Sequence, residues 1–312
     1  MAAICPGADR SAGAQGTLPP ASGTPGVPGE MRVVEGRVLR GGAGGPEPVA
    51  SQLVVLHRIS SDSAGAVDSL RTPSNGAYRF RYRLQSASAM YIVSSRYAGV
   101  AYFTAPLRAA RVTGADADLM VYDTATSPFP LSVRGRHFVV APADSSGWRR
   151  VVDVFEVAND SLKTRVAGAG TAGTWSVRLP DGARDPQAGG GDQPPEAVLF
   201  GDGQATLTVP FPPGSRQVVF SYGIPAGATI RVPVDQAVGT LEILVEGAGA
   251  AVTGGGVTRG EPVAMEGRSF YRFLAQDVPA GSQLTLALSG GAGGGRARTM
   301  VLLALALAAL AL

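Results

Sequence analysis

Hydrophobic and polar residues alternate with a period of two in several parts of the chain, and the clearest example is the stretch 33–82. Its last part, residues 78–82, places tyrosine or phenylalanine at every second position, which is the pattern of a half-buried β-strand. This run follows Asn75-Gly76, a pair that tolerates positive φ and so permits a tight reversal. Two earlier runs of β-type residues, 34–39 and 51–59, are separated by a glycine-rich turn. The stretch therefore predicts a compact antiparallel β-unit.

Short runs of β-type residues continue beyond this unit and alternate with turn signals about every ten residues. This pattern is typical of β-sandwiches, and no long helical pattern interrupts it before the end of the chain. We therefore predict an all-β fold: an N-terminal β-sandwich, one or two further β-sandwich modules and a C-terminal hydrophobic helix. The predicted domains are a β-sandwich at 31–112, a second β region at 118–181 and a third at 196–289. The third region forms either a separate domain or one domain with 118–181.

The two ends of the chain differ from its middle. Residues 1–30 are rich in Ala, Gly, Pro, Ser and Thr without periodicity, so they predict a disordered leader. Small residues at 12–14 resemble the end of an export signal, so we interpret the leader as the remnant of one. Residues 300–312 are entirely apolar, although a spanning helix needs about 20 such residues. We expect a membrane-anchor helix at 296–312 that is cut short, rather than a buried core helix.

Composition limits the classes of partner. The net charge of the 312-residue chain is only +3, and the pI of about 9.2 comes from arginines spread along the sequence rather than clustered in it. We therefore expect no nucleic-acid partner. Cys5 is the only cysteine, so no intrachain disulfide and no cysteine-based metal site can form. The membrane is an expected partner through the C-terminal helix, and the expected localisation is extracytoplasmic, in the periplasm or at the cell surface.

The sequence contains no recognisable catalytic motif. His57 and His137 lack acidic or histidine partners at the spacing of metal ligands. No G-x-S-x-G elbow is present, and no histidine follows residue 137. The glycine-rich runs lack the Lys-Ser/Thr pair of a phosphate-binding loop. We therefore expect a non-enzymatic protein with no catalytic residue, no cofactor and no metal.

Several motifs in the N-terminal stretch resemble a known family. Their order is G-x-V, P-V, V-x-L and T-x-x-x-G-x-Y-x-F. The matching residues are Gly36, Val38, Pro48, Val49, Val54, Leu56, Thr72, Gly76, Tyr78 and Phe80. This set resembles the carboxypeptidase regulatory-like family, which implies a transthyretin-like β-sandwich of the carbohydrate-binding-like kind. Two departures are a longer, more polar insert at 60–70 and Ser51-Gln52 in place of a small hydrophobic residue. Such motifs mark a fold and not an activity.

The functional hypothesis follows from these points. We expect a membrane-anchored extracytoplasmic β-sandwich protein with a structural or recognition role towards a protein or a glycan. One alternative is a carbohydrate-binding module, in which Tyr82, Tyr97 and Tyr102 would bind the ligand by stacking on sugar rings. The other alternative is an accessory subunit of a membrane enzyme complex.

Overall fold

The computed structural model of the protein describes residues 27–288, except residues 62, 127, 128, 130, 228, 248 and 266. Within these residues the fold is all-β, with several sheets and two short 3₁₀ helices, so the all-β part of the predicted fold is confirmed. The predicted helix at 296–312 and most of the predicted leader lie outside the described residues. Within the described range, we find no helix with the length and hydrophobicity that crossing a bilayer requires.

The strands are numbered in chain order. The first thirteen are β1 (Met31–Arg40), β2 (Glu47–Pro48), β3 (Leu53–Ile59), β4 (Ala64–Arg71), β5 (Ala77–Arg83), β6 (Met90–Tyr97), β7 (Val100–Phe103), β8 (Arg111–Thr113), β9 (Leu119–Val121), β10 (Thr124–Ala125), β11 (Ser132–Ala143), β12 (Trp148–Asn159) and β13 (Thr164–Arg165). The others are β14 (Trp175–Arg178), β15 (Arg184–Ala188), β16 (Val198–Gly201), β17 (Gln204–Leu207), β18 (Gly214–Pro225), β19 (Thr229–Pro233), β20 (Val238–Glu246), β21 (Ala250–Thr253), β22 (Thr258–Arg259), β23 (Val263–Met265), β24 (Arg268–Val278) and β25 (Gln283–Leu288). The 3₁₀ helices are Gly114–Asp116 and Pro195–Ala197.

These elements form two compact units, which we call the N-terminal and the C-terminal unit. Of the described residues, 27–126 and 161–166 belong to the N-terminal unit, and the rest belong to the C-terminal unit. The N-terminal unit therefore extends beyond residue 112, where the sequence suggested a boundary, because β8 and β9 both pair with β1 in parallel.

The N-terminal unit has two sheets around one core. One sheet contains β2, β1 and β5, with β8 and β9 also paired to β1, and the other has the order β4-β3-β6-β7. The core takes the inward residues of both sheets, including Val34, Phe80 and Tyr91. The rings of Tyr82 and Tyr91 lie 4.4 Å apart between their centroids and join strands of the two sheets. This arrangement is a β-sandwich, as the period-two alternation predicted.

The turn before β5 explains several of the residues that carry the family resemblance. Gly76 has φ +70°, and a side chain there would collide with the carbonyl of Val38. Asn75 Oδ1 accepts a hydrogen bond from the N–H of Ala77 at 3.1 Å, which holds the turn. The buried hydroxyl of Thr72 donates to the carbonyl of Val49 at 2.6 Å. The turn and its neighbours therefore fix where β5 begins and which of its residues face inward.

The C-terminal unit is built on one large sheet. Its strand order is β15-β18-β12-β11-β20-β24-β22, with β23 also paired to β24, and two three-stranded sheets, β14-β17-β16 and β19-β25-β21, accompany it. One face of the large sheet contributes Phe138, Phe155 and Phe220 to a core that includes residues of both small sheets. The opposite face carries a second apolar cluster that includes Val139, Val154 and other members of the same strands. Both faces of the central strands are therefore buried, and their sequences are nearly continuously hydrophobic.

Candidate functional site

The outward face of β5 carries three exposed arginines. The alternation in this strand buries Tyr78, Phe80 and Tyr82 and places Arg79, Arg81 and Arg83 on the opposite, solvent-facing side. Successive side chains of a strand point to opposite faces, so these three arginines share one face of the sheet at intervals of about 6.8 Å.

Two neighbouring strands widen this surface. Residues in register on adjacent strands lie on the same face of a sheet. Val33 of β1 lies between Arg81 of β5 and Arg111 of β8, and Glu35 lies between Arg79 and Thr113. On β1, the next outward residue after Val33 and Glu35 is Arg37, which pairs in register with Ala77 of β5. We call this surface the arginine face; its charged members are Arg37, Arg79, Arg81, Arg83, Arg111 and Glu35.

The arginine face has an excess of positive charge. Its five arginines and one glutamate give a net charge of +4, which exceeds the +3 of the entire chain. Glu35 Oε1 lies 3.0 Å from Nε of Arg79, and Oε2 lies 3.3 Å from Nη2 of Arg111. Among the described residues, no ion pair is found for the other three arginines of this face. Most of its positive charge is therefore available to an anion.

A groove lies at one end of the arginine face. Its volume is about 740 Å³, and β1, the end of β4, the start of β5 and residues 113–118 line it. The charged residues of its wall include Arg71 of β4 together with Arg37 and Arg79 of the arginine face. Asp118 is also in the wall, and its Oδ1 accepts a hydrogen bond from the N–H of Arg37 at 2.8 Å. Glu35 also lines the wall, so three arginines and two carboxylates lie there, and the groove is within the size range of ligand sites.

A second charged cluster lies inside the core of the C-terminal unit. Nε and Nη2 of Arg136 donate to the two carboxylate oxygens of Asp153 at 3.0 and 2.7 Å, and both side chains are only 1% exposed. Tyr222 Oη donates to Asp153 at 3.1 Å, and Nη1 of Arg136 donates to the carbonyl of Pro233 at 2.7 Å. The guanidinium carbon lies 4.7 Å from the ring centroid of Phe155. The pair is fully partnered by protein groups and leaves no charge for a ligand.

The electrostatics of this buried pair follow from its surroundings. Burial lowers the pKa of Arg136, but the charge and hydrogen bonds of Asp153 outweigh burial and raise that pKa above its ordinary value. Burial also raises the pKa of Tyr222 well above its ordinary value, and the Asp153 carboxylate adds to this effect. Arg136 and Tyr222 therefore stay protonated over the whole physiological range.

Both histidines have polar partners within their own sheets. His137 Nδ1 lies 2.9 Å from Oε2 of Glu242, and Nε of Arg272 donates to the other carboxylate oxygen at 2.6 Å. Burial raises the pKa of Glu242, but His137 and Arg272 outweigh burial and lower it. His57 Nε2 lies 2.7 Å from the hydroxyl of Ser94. Within the part of the chain that the structure describes, no group of three or more metal-ligating side chains is found.

The tyrosines suggested as ligand-binding residues lie in different environments. Tyr82 is 5% exposed and Tyr102 is 7% exposed, and burial raises the pKa of Tyr82 to about 12. The hydroxyl of Tyr102 lies 2.7 Å from Oγ1 of Thr164. Tyr97 is half-buried and donates to Asp123 Oδ1 at 3.0 Å. A sugar ring stacks on an exposed aromatic face, and neither Tyr82 nor Tyr102 presents one.

The structure brings only two of these three tyrosines into the same region. Tyr97 and Tyr102 lie on the neighbouring strands β6 and β7, whereas Tyr82 lies on β5 of the other sheet. Ligand binding by Tyr97 stays a prediction.

Sequence reasoning missed the arginine face, although one signal for it was present. The expectation that arginines are not clustered does not hold on this surface, because strand pairing brings Arg111 of β8 next to β1, on the side opposite β5. The alternation of 78–83 predicted an inward aromatic face, and the same pattern makes every outward residue an arginine. Counting charged residues at every second position of 78–83 would have identified three of the six charged residues of the arginine face.

Comparison with known proteins does not supply a family. No family model and no curated protein matches this chain. Among solved structures, the full-length RrgB pilus protein of Streptococcus pneumoniae is similar, with 8% identity and a TM-score of 0.20 over 84% of this chain and 62% of that chain. The major pilin subunit BcpA of Bacillus cereus is also similar, with 11% identity and a TM-score of 0.18 over 81% of this chain and 87% of that chain. The chain thus spans less than two thirds of the RrgB chain. Likenesses at this level transfer neither a family nor a function.

Proposed function

We propose that this chain is a non-enzymatic recognition protein that binds an anionic partner through the arginine face. The observation that carries this proposal is the net charge of +4 on one exposed sheet surface of a chain whose total charge is +3. Only Arg79 and Arg111 have a carboxylate partner within the described residues of this face.

We also propose a family for the N-terminal unit and a cellular location for the protein. The N-terminal unit is a carboxypeptidase regulatory-like, transthyretin-like β-sandwich, and the protein is extracytoplasmic and anchored in a membrane. The roles of Thr72 and Gly76 in the turn before β5 support the family proposal. The apolar sequence at 300–312 supports the anchor. Cell fractionation of the full chain and of a version lacking 296–312 tests the anchor; recovery of both in the same fraction would contradict it.

The binding proposal is tested with probes of different charge. Polyglutamate, dextran sulfate, single-stranded DNA and vesicles containing phosphatidylglycerol are each titrated into the full chain, with uncharged dextran as the reference. We expect at least one anionic probe to bind, and its affinity to fall as the salt concentration rises, because exposed charge interactions are screened. Absence of binding by every anionic probe at low salt would overturn the proposal.

Two double variants with reversed charges locate the binding surface. Arg81→Glu with Arg83→Glu reverses two charges of the arginine face, and Arg96→Glu with Arg231→Glu reverses two exposed arginines elsewhere in the chain. Both double variants change the net charge by the same amount. We expect the first to weaken binding at least tenfold and the second to weaken it less than threefold. Equal losses in the two variants would show that only overall charge matters.

A further inference from the structure

β5 is an edge strand. It pairs with β1, and no second ladder partner is found for it among the described residues. An edge strand presents unpaired N–H and C=O groups, to which another extended segment can bind.

Two backbone hydrogen bonds identify which residues of β5 face that edge. The N–H of Val38 donates to the carbonyl of Gly76 at 2.8 Å, and the N–H of Leu84 donates to the carbonyl of Glu30 at 2.9 Å. In an antiparallel ladder, hydrogen-bonded and non-hydrogen-bonded pairs alternate. The even-numbered residues of β5 therefore direct their backbone groups to β1, and Arg79, Arg81 and Arg83 direct theirs to the open edge.

At both ends of this edge, side chains form hydrogen bonds with the backbone groups of β5. At the start of β5, Asn75 Oδ1 accepts from the N–H of Ala77 at 3.1 Å. At its end, the hydroxyl of Tyr91 donates to the carbonyl of Arg83 at 3.1 Å. Between these ends, the N–H and C=O groups of Arg79 and Arg81 have no hydrogen-bond partner among the described residues. The open part of the edge is therefore short and centred on two arginines.

The open backbone groups and the exposed charges belong to the same residues. A strand that pairs with this edge places its residues opposite Arg79 and Arg81 on the arginine face, because paired residues share a face. Carboxylates at every second residue of such a strand recur at about 6.8 Å, the spacing of the arginines.

We infer that the partner of the arginine face is an extended acidic segment of a protein, which pairs as an added strand with the open edge of β5. The inference rests on the proposed function and adds the chemical class of the partner. Polysaccharides, nucleic acids and lipids supply anions but no backbone ladder for Arg79 and Arg81. A second copy pairing through β5 would place arginines opposite arginines, which is unfavourable.

Three peptides of the same composition test this inference by calorimetric titration into the full chain. The first alternates glutamate and threonine, and the third groups its glutamates in one block. The second has the sequence of the first with its glutamate amides N-methylated, since these amides face Arg79 and Arg81 in an antiparallel ladder. N-methylation keeps the charge and removes the N–H donors that a ladder needs. We expect the alternating peptide to bind at least tenfold more tightly than either of the others.

The outcomes separate the inference from the proposed function. Equal affinity of the alternating and the N-methylated peptide would overturn strand addition and leave anion recognition standing. Binding of dextran sulfate, DNA or anionic vesicles without binding of the alternating peptide would do the same. If no anionic probe binds, both are overturned, and the arginines serve only to protect an exposed edge from self-association.

Discussion

Arg136 of the C-terminal unit and Arg81 of the N-terminal unit both lie within long β-strands, but their surroundings are opposite. Arg136 is 1% exposed, and its guanidinium is hydrogen-bonded to Asp153 and to the Pro233 carbonyl. Arg81 is exposed, and no ion pair is found for it in the described part of the chain. The first arginine is a component of the fold, because its partners are internal. The charge of the second has no ion-pair partner in the described part of the chain, and we therefore assign a function to its surface.

The largest expected effect concerns the buried pair. Asp153→Ala leaves Arg136 buried without its carboxylate, and we expect the free energy of unfolding of the C-terminal unit to fall by about 3–5 kcal/mol. Urea unfolding monitored by tryptophan fluorescence measures this loss of stability directly, since both tryptophans, Trp148 and Trp175, lie in that unit.

A double variant is the control for this prediction. Arg136→Met combined with Asp153→Leu removes both charges, so we expect it to recover part of the lost stability. If Asp153→Ala lowers the free energy of unfolding by less than about 1 kcal/mol, the buried pair does not have the structural role that we give it.

An intermediate effect is expected at Glu242, whose folded pKa is lowered by His137 and Arg272. A carboxylate with a lowered folded pKa stabilises the protein above its unfolded pKa, here about 4.5, and this contribution is lost as the pH falls through the folded pKa. Glu242→Gln should reduce the stability at pH 7 by about 1–3 kcal/mol, because charge-assisted hydrogen bonds are lost. Its stability should also depend less on pH below 4.5 than that of the natural chain. Identical pH profiles of the two proteins, measured by urea unfolding, would contradict the assignment.

The smallest effect on stability is expected at the arginine face. The side chains of Arg79 and Glu35 are 51% and 27% exposed, and such surface pairs contribute about 0–1 kcal/mol. Glu35→Gln should therefore change the free energy of unfolding by less than about 1 kcal/mol, as measured by circular dichroism in urea. The same variant raises the net charge of the face and should bind polyglutamate more tightly. Weaker binding would indicate that Glu35 positions Arg79 and Arg111 for the ligand.

Local patterns in the sequence predicted much of the N-terminal unit. The alternation at 78–82 and the Asn75-Gly76 turn predicted β5 and its buried aromatic face, and both predictions are confirmed. By contrast, β4 was interpreted as part of a polar insert. Nearly all its side chains are exposed, so it has no hydrophobic period, and it is held by pairing with β3. Propensity patterns do not detect a strand that is stabilised by its ladder and not by burial.

The candidate site was harder to predict because it depends on contacts between distant segments. Arg111 joins the arginine face only because β8 pairs with β1 in parallel, and no local pattern signals that pairing. For two aromatic residues the error was the opposite one, because a binding role was considered for side chains that are buried. Tyr82 and Tyr102 were considered as ligand-binding residues, although aromatic side chains in strands are usually buried, as both are here.

Hydrogen exchange of the full chain with and without the alternating acidic peptide tests the central claim most directly, because it observes the open edge itself. The unpaired N–H groups of Arg79 and Arg81 should exchange rapidly in the free protein and slow at least tenfold when the peptide is bound. The C-terminal unit should exchange at the same rates in both states. Unchanged exchange across 77–83 at a saturating concentration of peptide, or protection confined to the C-terminal unit, would contradict the account.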